Sequence, residues 1–255
     1  MSTAKKDAIE LRDFASNHED SIRNDFSTHL RNCPIPGKQI LSNLGLFISS
    51  KELSRLLFLN HVYQQIVDIH GSVFEFGTRW GQNVAVFSAL RGIYEPFNRH
   101  RKIVAFDTFT GFPSVSDADG EAELIGVGNL TTTENYIEYL STVMDYHEQE
   151  NPLSHIKKYE LVQGDGMETV PAYLEENPET IIALAYFDFD LYEPTKVVLE
   201  AIKDRLVKGS IVGFDELNDH DAPGETRAVM EVLGLNNIRL ERFRHASRTS
   251  YFVVE

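Results

Sequence analysis

Residues 73–81 read Val73-Phe74-Glu75-Phe76-Gly77-Thr78-Arg79-Trp80-Gly81, an apolar run that passes through a glycine-punctuated turn into a helical stretch from Gln82. In open α/β sheets a ligand sits at such a turn, outside the carboxyl ends of the strands. The dinucleotide fingerprint needs a middle glycine so that the backbone can approach a pyrophosphate, and Thr78-Arg79 occupy that place here. Glu75, at the strand end, would also repel a phosphate. A cofactor with a cationic centre and no phosphate fits these residues better than a nicotinamide dinucleotide. S-adenosylmethionine, with its sulfonium and ammonium groups, is such a cofactor. Glu75, Gly77, Thr78, Arg79 and Gly81 are its candidate contacts; the competing reading is a purely structural tight turn.

Outward from this stretch, short apolar runs alternate with helical segments, the pattern of βαβ units on a parallel sheet. Strands are expected at 73–76, 103–106, 159–162, 181–187, 210–214, 238–243 and 250–254, with helices near 82–93, 167–175, 194–206 and 224–234. The last two strands have only six residues between them, too few for a crossover helix, so they should pair antiparallel. The expected fold is therefore α/β: seven strands, mostly parallel, with the last one antiparallel at the far end. The stretch 108–157 is too long for a plain connection. It carries turn signals at Pro113 and Asp119-Gly120 and a helical pattern near 133–148, and such an insertion reads as a lid or acceptor-binding segment.

Upstream, Ser49 and Glu52 form a capping-box pattern for a helix with Leu53, Leu56, Leu57, Val62, Tyr63, Ile66 and Val67 on its apolar face, running to about His70 and ended by Gly71. Cys33-Pro34-Ile35-Pro36-Gly37 reads as a linker, because two prolines and a glycine cannot continue a helix. Residues 5–31 are strongly charged, with Ile22, Phe26 and Leu30 as a thin apolar stripe, which suggests a surface helix or a homo-oligomer contact. The expected organisation is a helical N-terminal extension and linker over 1–48, then one catalytic domain over 49–255.

The 255 residues are 42% hydrophobic and 25% charged, the composition of an ordinary globular enzyme. With 24 Lys and Arg against 39 Asp and Glu, the formal net charge of −15 disfavours a nucleic-acid partner. The single cysteine, Cys33, closes no intrachain disulfide and fits a reducing compartment. The start MSTAKKDAIELRDF has no apolar signal core, and no run approaches the roughly 20 apolar residues that span a bilayer. A cytoplasmic protein without membrane contact is the expectation.

Four further strand ends carry acids. Ile103–Phe106 ends in Asp107, placed to accept hydrogen bonds from both ribose hydroxyls of a nucleoside. Asp165, between Gly164 and Gly166, leaves the next strand where a carboxylate or backbone group can bond an adenine amino group; a simple turn aspartate is the alternative. The fourth region pairs Ala185-Tyr186-Phe187-Asp188-Phe189-Asp190 with Ser210-Ile211-Val212-Gly213-Phe214-Asp215-Glu216. Neighbouring parallel strands lie about 4.8 Å apart, so these acids should converge. Like charges so close call for a cation among them, and three hard oxygen ligands with waters suit Mg²⁺. Asp188, Asp215 and Glu216 are the candidate metal ligands, against the alternative that the acids are helix N-caps, as Asp190 could be ahead of Pro194.

The runs GSVFEFGTRWGQN, VAFDTFTGFP, YFDFDLYEPTKVVLE, GSIVGFDELND and PGETRAVMEV resemble the macrocin O-methyltransferase family over about residues 40–255. The resemblance implies a Rossmann-like class I methyltransferase fold and Mg²⁺-dependent transfer of a methyl group to a sugar hydroxyl of a natural product. Carried over by position, it implies that Glu75 and Gly77 belong to the cofactor loop, Asp107 binds ribose, and Asp188 is the first metal aspartate and a base. Asp215 and Glu216 stand where the family has two adjacent aspartates, so Glu216 departs from the pattern with a longer arm. For the proton of the acceptor hydroxyl, Asp188 is the first candidate base and His220, in Asn218-Asp219-His220-Asp221, the second. A small sugar or glycoside is the expected acceptor. The rival readings are a nicotinamide-dependent sugar oxidoreductase on a similar sheet and a non-catalytic methyltransferase-like binding protein.

Overall fold

The computed structural model describes residues 16–255, so the start of the expected 5–31 helix lies outside the described residues. The chain divides into two compact units, residues 1–55 and 56–255. In the described part of the first, helix α1 (Asn17–Arg31) begins with a Ser16–Glu19 capping box, α2 (Gly37–Ile40) follows the proline linker, and a 3₁₀ segment covers Leu41–Phe47. The expected stripe is on the surface: Ile22, Phe26 and Leu30 are 52%, 40% and 44% exposed. The Phe26 ring lies 6.0 Å from that of Phe47. Helix α3 (Ser50–Gln65) starts where Ser49 bonds Glu52, as the capping pattern predicts. It buries Phe58, Leu59, Val62 and Tyr63 and ends five residues earlier than expected.

The second unit is built on a seven-stranded sheet. Its strands are β1 (Ser72–Phe76), β2 (Ile103–Asp107), β3 (Tyr159–Gln163), β4 (Ile182–Phe187), β5 (Leu206–Phe214), β6 (Glu241–Arg242) and β7 (Ser250–Val253), in the order β3-β2-β1-β4-β5-β7-β6. Helices α4 (Gln82–Tyr94), α5 (Tyr136–Glu150), α6 (Gly166–Glu176), α7 (Tyr192–Ile202) and α8 (Gly224–Val232) complete the alternation. Strand order reverses between β1 and β4, the switch point at which α/β sheets bind ligands. The last strand is antiparallel to its neighbours as expected, but it is not at the far edge. It inserts between β5 and β6, with Ile211–Phe214 paired to Val253–Ser250 on one side and Glu241–Arg242 on the other. The unpaired edge of β5 takes the returning arm of the hairpin, which leaves the two-residue β6 outermost.

Helices cover the central strands, so these read as continuous apolar runs rather than alternating ones; every residue of β4 is buried. One apolar cluster joins Phe58, Tyr63, Val84, Phe87 and Tyr186, and another joins Phe74, Val104, Val170, Val198 and Val212. The second also contains a row of phenylalanines. Register aligns Phe106 with Phe76, Phe76 with Phe187, and Phe187 with Phe214, and successive ring centroids are 5.5, 4.7 and 5.2 Å apart. All four rings are fully buried.

Beside the first core Arg101, 1% exposed, pairs with Glu95 and donates to the carbonyls of Gly71, Ile66 and Ile69. It thereby ties the loop after α3 and the entry to β1 to the segment ahead of β2. Removing one partner of a buried pair strands the other charge, at a cost of about 3–5 kcal/mol. Arg101→Met is expected to lose about that much stability in urea unfolding, and a loss below about 1 kcal/mol would show that the pair contributes little.

Candidate active site

Each phenylalanine of the row precedes a residue at the rim, and the backbone ladder carries the alignment one step further. The Gly77 amide donates to Phe106 O (3.0 Å), Asp188 N–H to Phe76 O (2.8 Å), Asp215 N–H to Phe187 O (2.9 Å) and Gly164 N–H to Asp107 O (2.9 Å). The turns after β1, β2, β3, β4 and β5 are thus stitched together at one edge, which brings together Gly77, Asp107, Gly164, Asp188 and Asp215.

At the β1 turn, Gly77 has φ +88° and a Cβ there would overlap the Asp188 carbonyl, so only glycine lets the two turns approach this closely. Gly81, φ +77°, faces the Leu140 side chain of α5 in the insertion. Arg79 also has positive φ, 45°. This conformation directs its amide to Asp107 Oδ2 at 2.7 Å, while Phe109 N–H reaches Oδ1 at 2.5 Å. Burial raises the Asp107 pKa, opposed by these two amide bonds and the Arg79 charge. Thr78 is buried and its hydroxyl has no hydrogen-bond partner. Glu75 is fully buried one residue before the turn. A glycine cradle, an unsatisfied hydroxyl and a strand-end carboxylate suit a nucleoside cofactor bearing a positive charge. Asp165 is the N-cap of α6, its Oδ1 accepting from Met167 N–H at 2.9 Å.

The carboxylates after β4 and β5 converge only in part. Asp215 Oδ1 accepts from the Tyr186 hydroxyl at 2.9 Å. Glu216, 1% exposed, is instead paired with Arg248 from the β6–β7 hairpin, which also lies 3.4 Å from Asp219. Among the described residues no three acid, histidine or cysteine side chains are grouped to hold a metal ion. The expected Asp188, Asp215 and Glu216 centre is therefore not assembled in this arrangement, because a guanidinium already neutralises the longer arm of Glu216. Leu191, and not Asp190, is the N-cap of α7, and Asp190 has φ 63°. His220 is exposed and lines an open cavity of about 340 Å³ with Asn218, Asp219, Pro223, Arg227 and Met230.

Glu225, in the first turn of α8, is a buried member that motif reading passed over. It is fully buried, its Oε1 accepts from Phe189 N–H at 2.9 Å, and its Oε2 has no hydrogen-bond partner. Burial and the negative charges of Asp190, Asp188 and Asp215 hold its carboxyl well above the usual range. Its signal in the sequence was the Pro223-Gly224-Glu225 run, where an acid in a first helical turn is ordinary.

Solved structures place the chain. No protein-family model and no curated protein sequence matches it. It is 43% identical to the calicheamicin methyltransferase CalS11, covering 99% of this chain and 98% of that one, with a TM-score of 0.92. A second structure of CalS11, an apo form described as a TDP-rhamnose 3′-O-methyltransferase of calicheamicin biosynthesis, shares 41% identity over 95% and 96% of the two chains, TM-score 0.84. The O-methyltransferase NovP, 19% identical over 79% of each chain with a TM-score of 0.60, shares the fold. The protein belongs to this family of sugar O-methyltransferases. It is an S-adenosylmethionine-dependent O-methyltransferase of the class I fold, and the oxidoreductase and non-catalytic readings find no support.

If Arg248 keeps the acids apart, Arg248→Ala should raise the affinity for Mn²⁺ about tenfold in calorimetric titration, the effect of about 1.4 kcal/mol of relieved competition. Unchanged affinity would show that the guanidinium is not what divides the site.

Proposed function

We propose that this enzyme methylates a hydroxyl of a nucleotide-linked or otherwise glycosylated sugar, with Asp107 holding the cofactor ribose and Asp188 accepting the hydroxyl proton. The observation that carries the reading is the near full-length similarity to CalS11, a TDP-rhamnose 3′-O-methyltransferase, with the rim carboxylates beside the glycine turn adding support. When bound, S-adenosylmethionine supplies an electrophilic methyl group on a sulfonium. The Gly77 turn gives its tail close access to the backbone, and Glu75 offers negative charge to its cationic groups. Asp107 keeps lone pairs for two ribose hydroxyls beyond the amides of Arg79 and Phe109. Thr78, Arg79 and Gly81 shape the turn, and Asp165 sets the start of α6 beside it.

A sugar hydroxyl is a poor nucleophile at neutral pH, so the chain must remove its proton as the new bond forms. Asp188 stands where the turns after β1 and β4 meet. Its negative charge is one of those that raise the carboxyl of the buried Glu225. His220, on the wall of the open cavity, is the second base in this reading. A magnesium ion held by this set would require Glu216 to leave Arg248 for Asp188 and Asp215.

Two measurements test these roles. Asp188→Asn is expected to lower kcat about 10²–10⁴-fold with little change in affinity for S-adenosylhomocysteine, whereas His220→Ala should cost far less. An unchanged kcat in Asp188→Asn would remove it as the base. Asp107→Asn should weaken S-adenosylhomocysteine about 10–100-fold, the worth of charge-assisted hydrogen bonds. In the wild type that affinity should fall as pH drops through the raised Asp107 pKa, because only the carboxylate accepts both hydroxyls. For the cofactor-free protein the sign reverses: a carboxyl raised by burial favours folding at low pH and loses that contribution as pH climbs through its folded pKa. Wild-type binding that stays level where the variant's does would overturn the assignment.

A further inference from the structure

The 108–157 insertion buries two carboxylates, and while Glu148 is paired with Arg91 and Lys158, Asp119 meets no cation among the described residues. Asp119 is 1% exposed although it lies in a surface turn next to Gly120, and burying an acid is costly unless hydrogen bonds compensate. Its Oδ2 accepts from the amide and hydroxyl of Ser116 at 2.6 and 2.9 Å, closing the local capping box. Its Oδ1 reaches across 73 residues to accept the Tyr192 amide at 2.5 Å. Tyr192 is the first residue of α7, and the N-cap Leu191 has no side-chain hydrogen bond to offer. A helix start leaves its first amides without intrahelical partners, and here the insertion supplies one from outside.

The helix start so capped is the end of the turn that carries Asp188. The same turn is held at its other end by Glu225, which accepts from Phe189 N–H, and it includes the left-handed Asp190. Gly224 marks where these pieces meet: an added Cβ would lie 2.6 Å from Tyr192 N, 2.8 Å from Asp119 Oδ1 and 2.8 Å from Asp190 O. Three residues along α8, Arg227 donates to the carbonyls of Asp117 and Ala118 at 3.3 and 2.8 Å. The Ser116–Gly120 turn is thus gripped by α8 on one side and plugged onto the α7 start on the other.

From this we infer that Asp119 is a positioning residue for methyl transfer: by capping α7 from the insertion it fixes the turn that presents Asp188, so seating of the insertion and placement of the base are one event. The inference rests on the reading of Asp188 as the base. The insertion therefore acts on the chemical step as well as on acceptor contact. Cofactor binding, built on the turns after β1 and β2, is left outside the coupling.

Asp119→Ala, Asp119→Asn and Arg227→Ala would be assayed with a TDP-deoxysugar acceptor, together with calorimetric binding of S-adenosylhomocysteine. A base misplaced by about 1 Å loses on the order of 10²-fold in rate. Asp119→Ala is expected to lower kcat about 10–100-fold with S-adenosylhomocysteine affinity within about twofold of wild type and a displaced acid limb in the pH profile of kcat. Asp119→Asn keeps an oxygen for the Tyr192 amide and should recover most of the rate. Arg227→Ala, which loosens the same turn from α8, should give a smaller loss of the same kind and carries the test if Asp119→Ala fails to fold. A kcat unchanged in Asp119→Ala, a loss of cofactor affinity in parallel with kcat, or no recovery in Asp119→Asn would overturn the inference. If Asp188→Asn leaves kcat intact, the base reading falls by itself. An Asp119→Ala loss rescued by Asn would then show the clasp acting on the turn through another group.

Discussion

The structure depends on one alignment: four buried phenylalanines, Phe106, Phe76, Phe187 and Phe214, packed ring against ring across the central strands, with the backbone ladder extended one residue beyond them. Aromatic pairs at these separations add about 0.5–1.5 kcal/mol each beyond their buried area. A side-chain period of two makes register an all-or-none choice, since a slip of one residue would turn the ring to the opposite face. Because the rings are locked, Gly77, Asp107, Asp188 and Asp215 are locked one step above them. The site inherits its geometry from the core.

That geometry concentrates negative charge, and the surroundings answer it in different ways around the rim. Asp107 is satisfied by two amides, Asp215 by a tyrosine hydroxyl, and Glu216 by a guanidinium. Glu225 has burial and three acidic neighbours pushing it towards the protonated form. Asp107 and Asp215 accept from neutral donors, with the Arg79 charge also acting on Asp107, while the Glu216 partner comes from the hairpin.

Much of this was legible in the linear order. The continuous apolar runs of β1, β2 and β4, the glycine turn at Gly77 and the acids after β2, β4 and β5 announce themselves because a strand buried on both faces has few alternatives to Val, Ile, Ala and Phe. The antiparallel character of β7 follows from a connection too short for a crossover. Its place between β5 and β6 does not, because either edge of the hairpin satisfies the same spacing. Asp165 reads equally as a ligand contact and a turn residue, and the fold adds only that it caps α6 through Met167 N–H. Glu225 and Asp119 looked like an ordinary first-turn acid and an ordinary Asp-Gly turn, and nothing local distinguishes a buried carboxylate from a solvated one.

Sequence alone therefore determined the βαβ architecture, the glycine turn after β1 and the residue types at each strand end, because hydrophobic period and turn chemistry are local properties. Tertiary structure alone decided which acids meet. Arg248 comes from the last hairpin to claim Glu216, Glu225 comes from α8 to accept the Phe189 amide next to Asp188, and Asp119 crosses from the insertion to the start of α7. Pairing between charged groups distant in sequence is selected by desolvation and packing in the folded chain, and those forces leave no periodic trace to read.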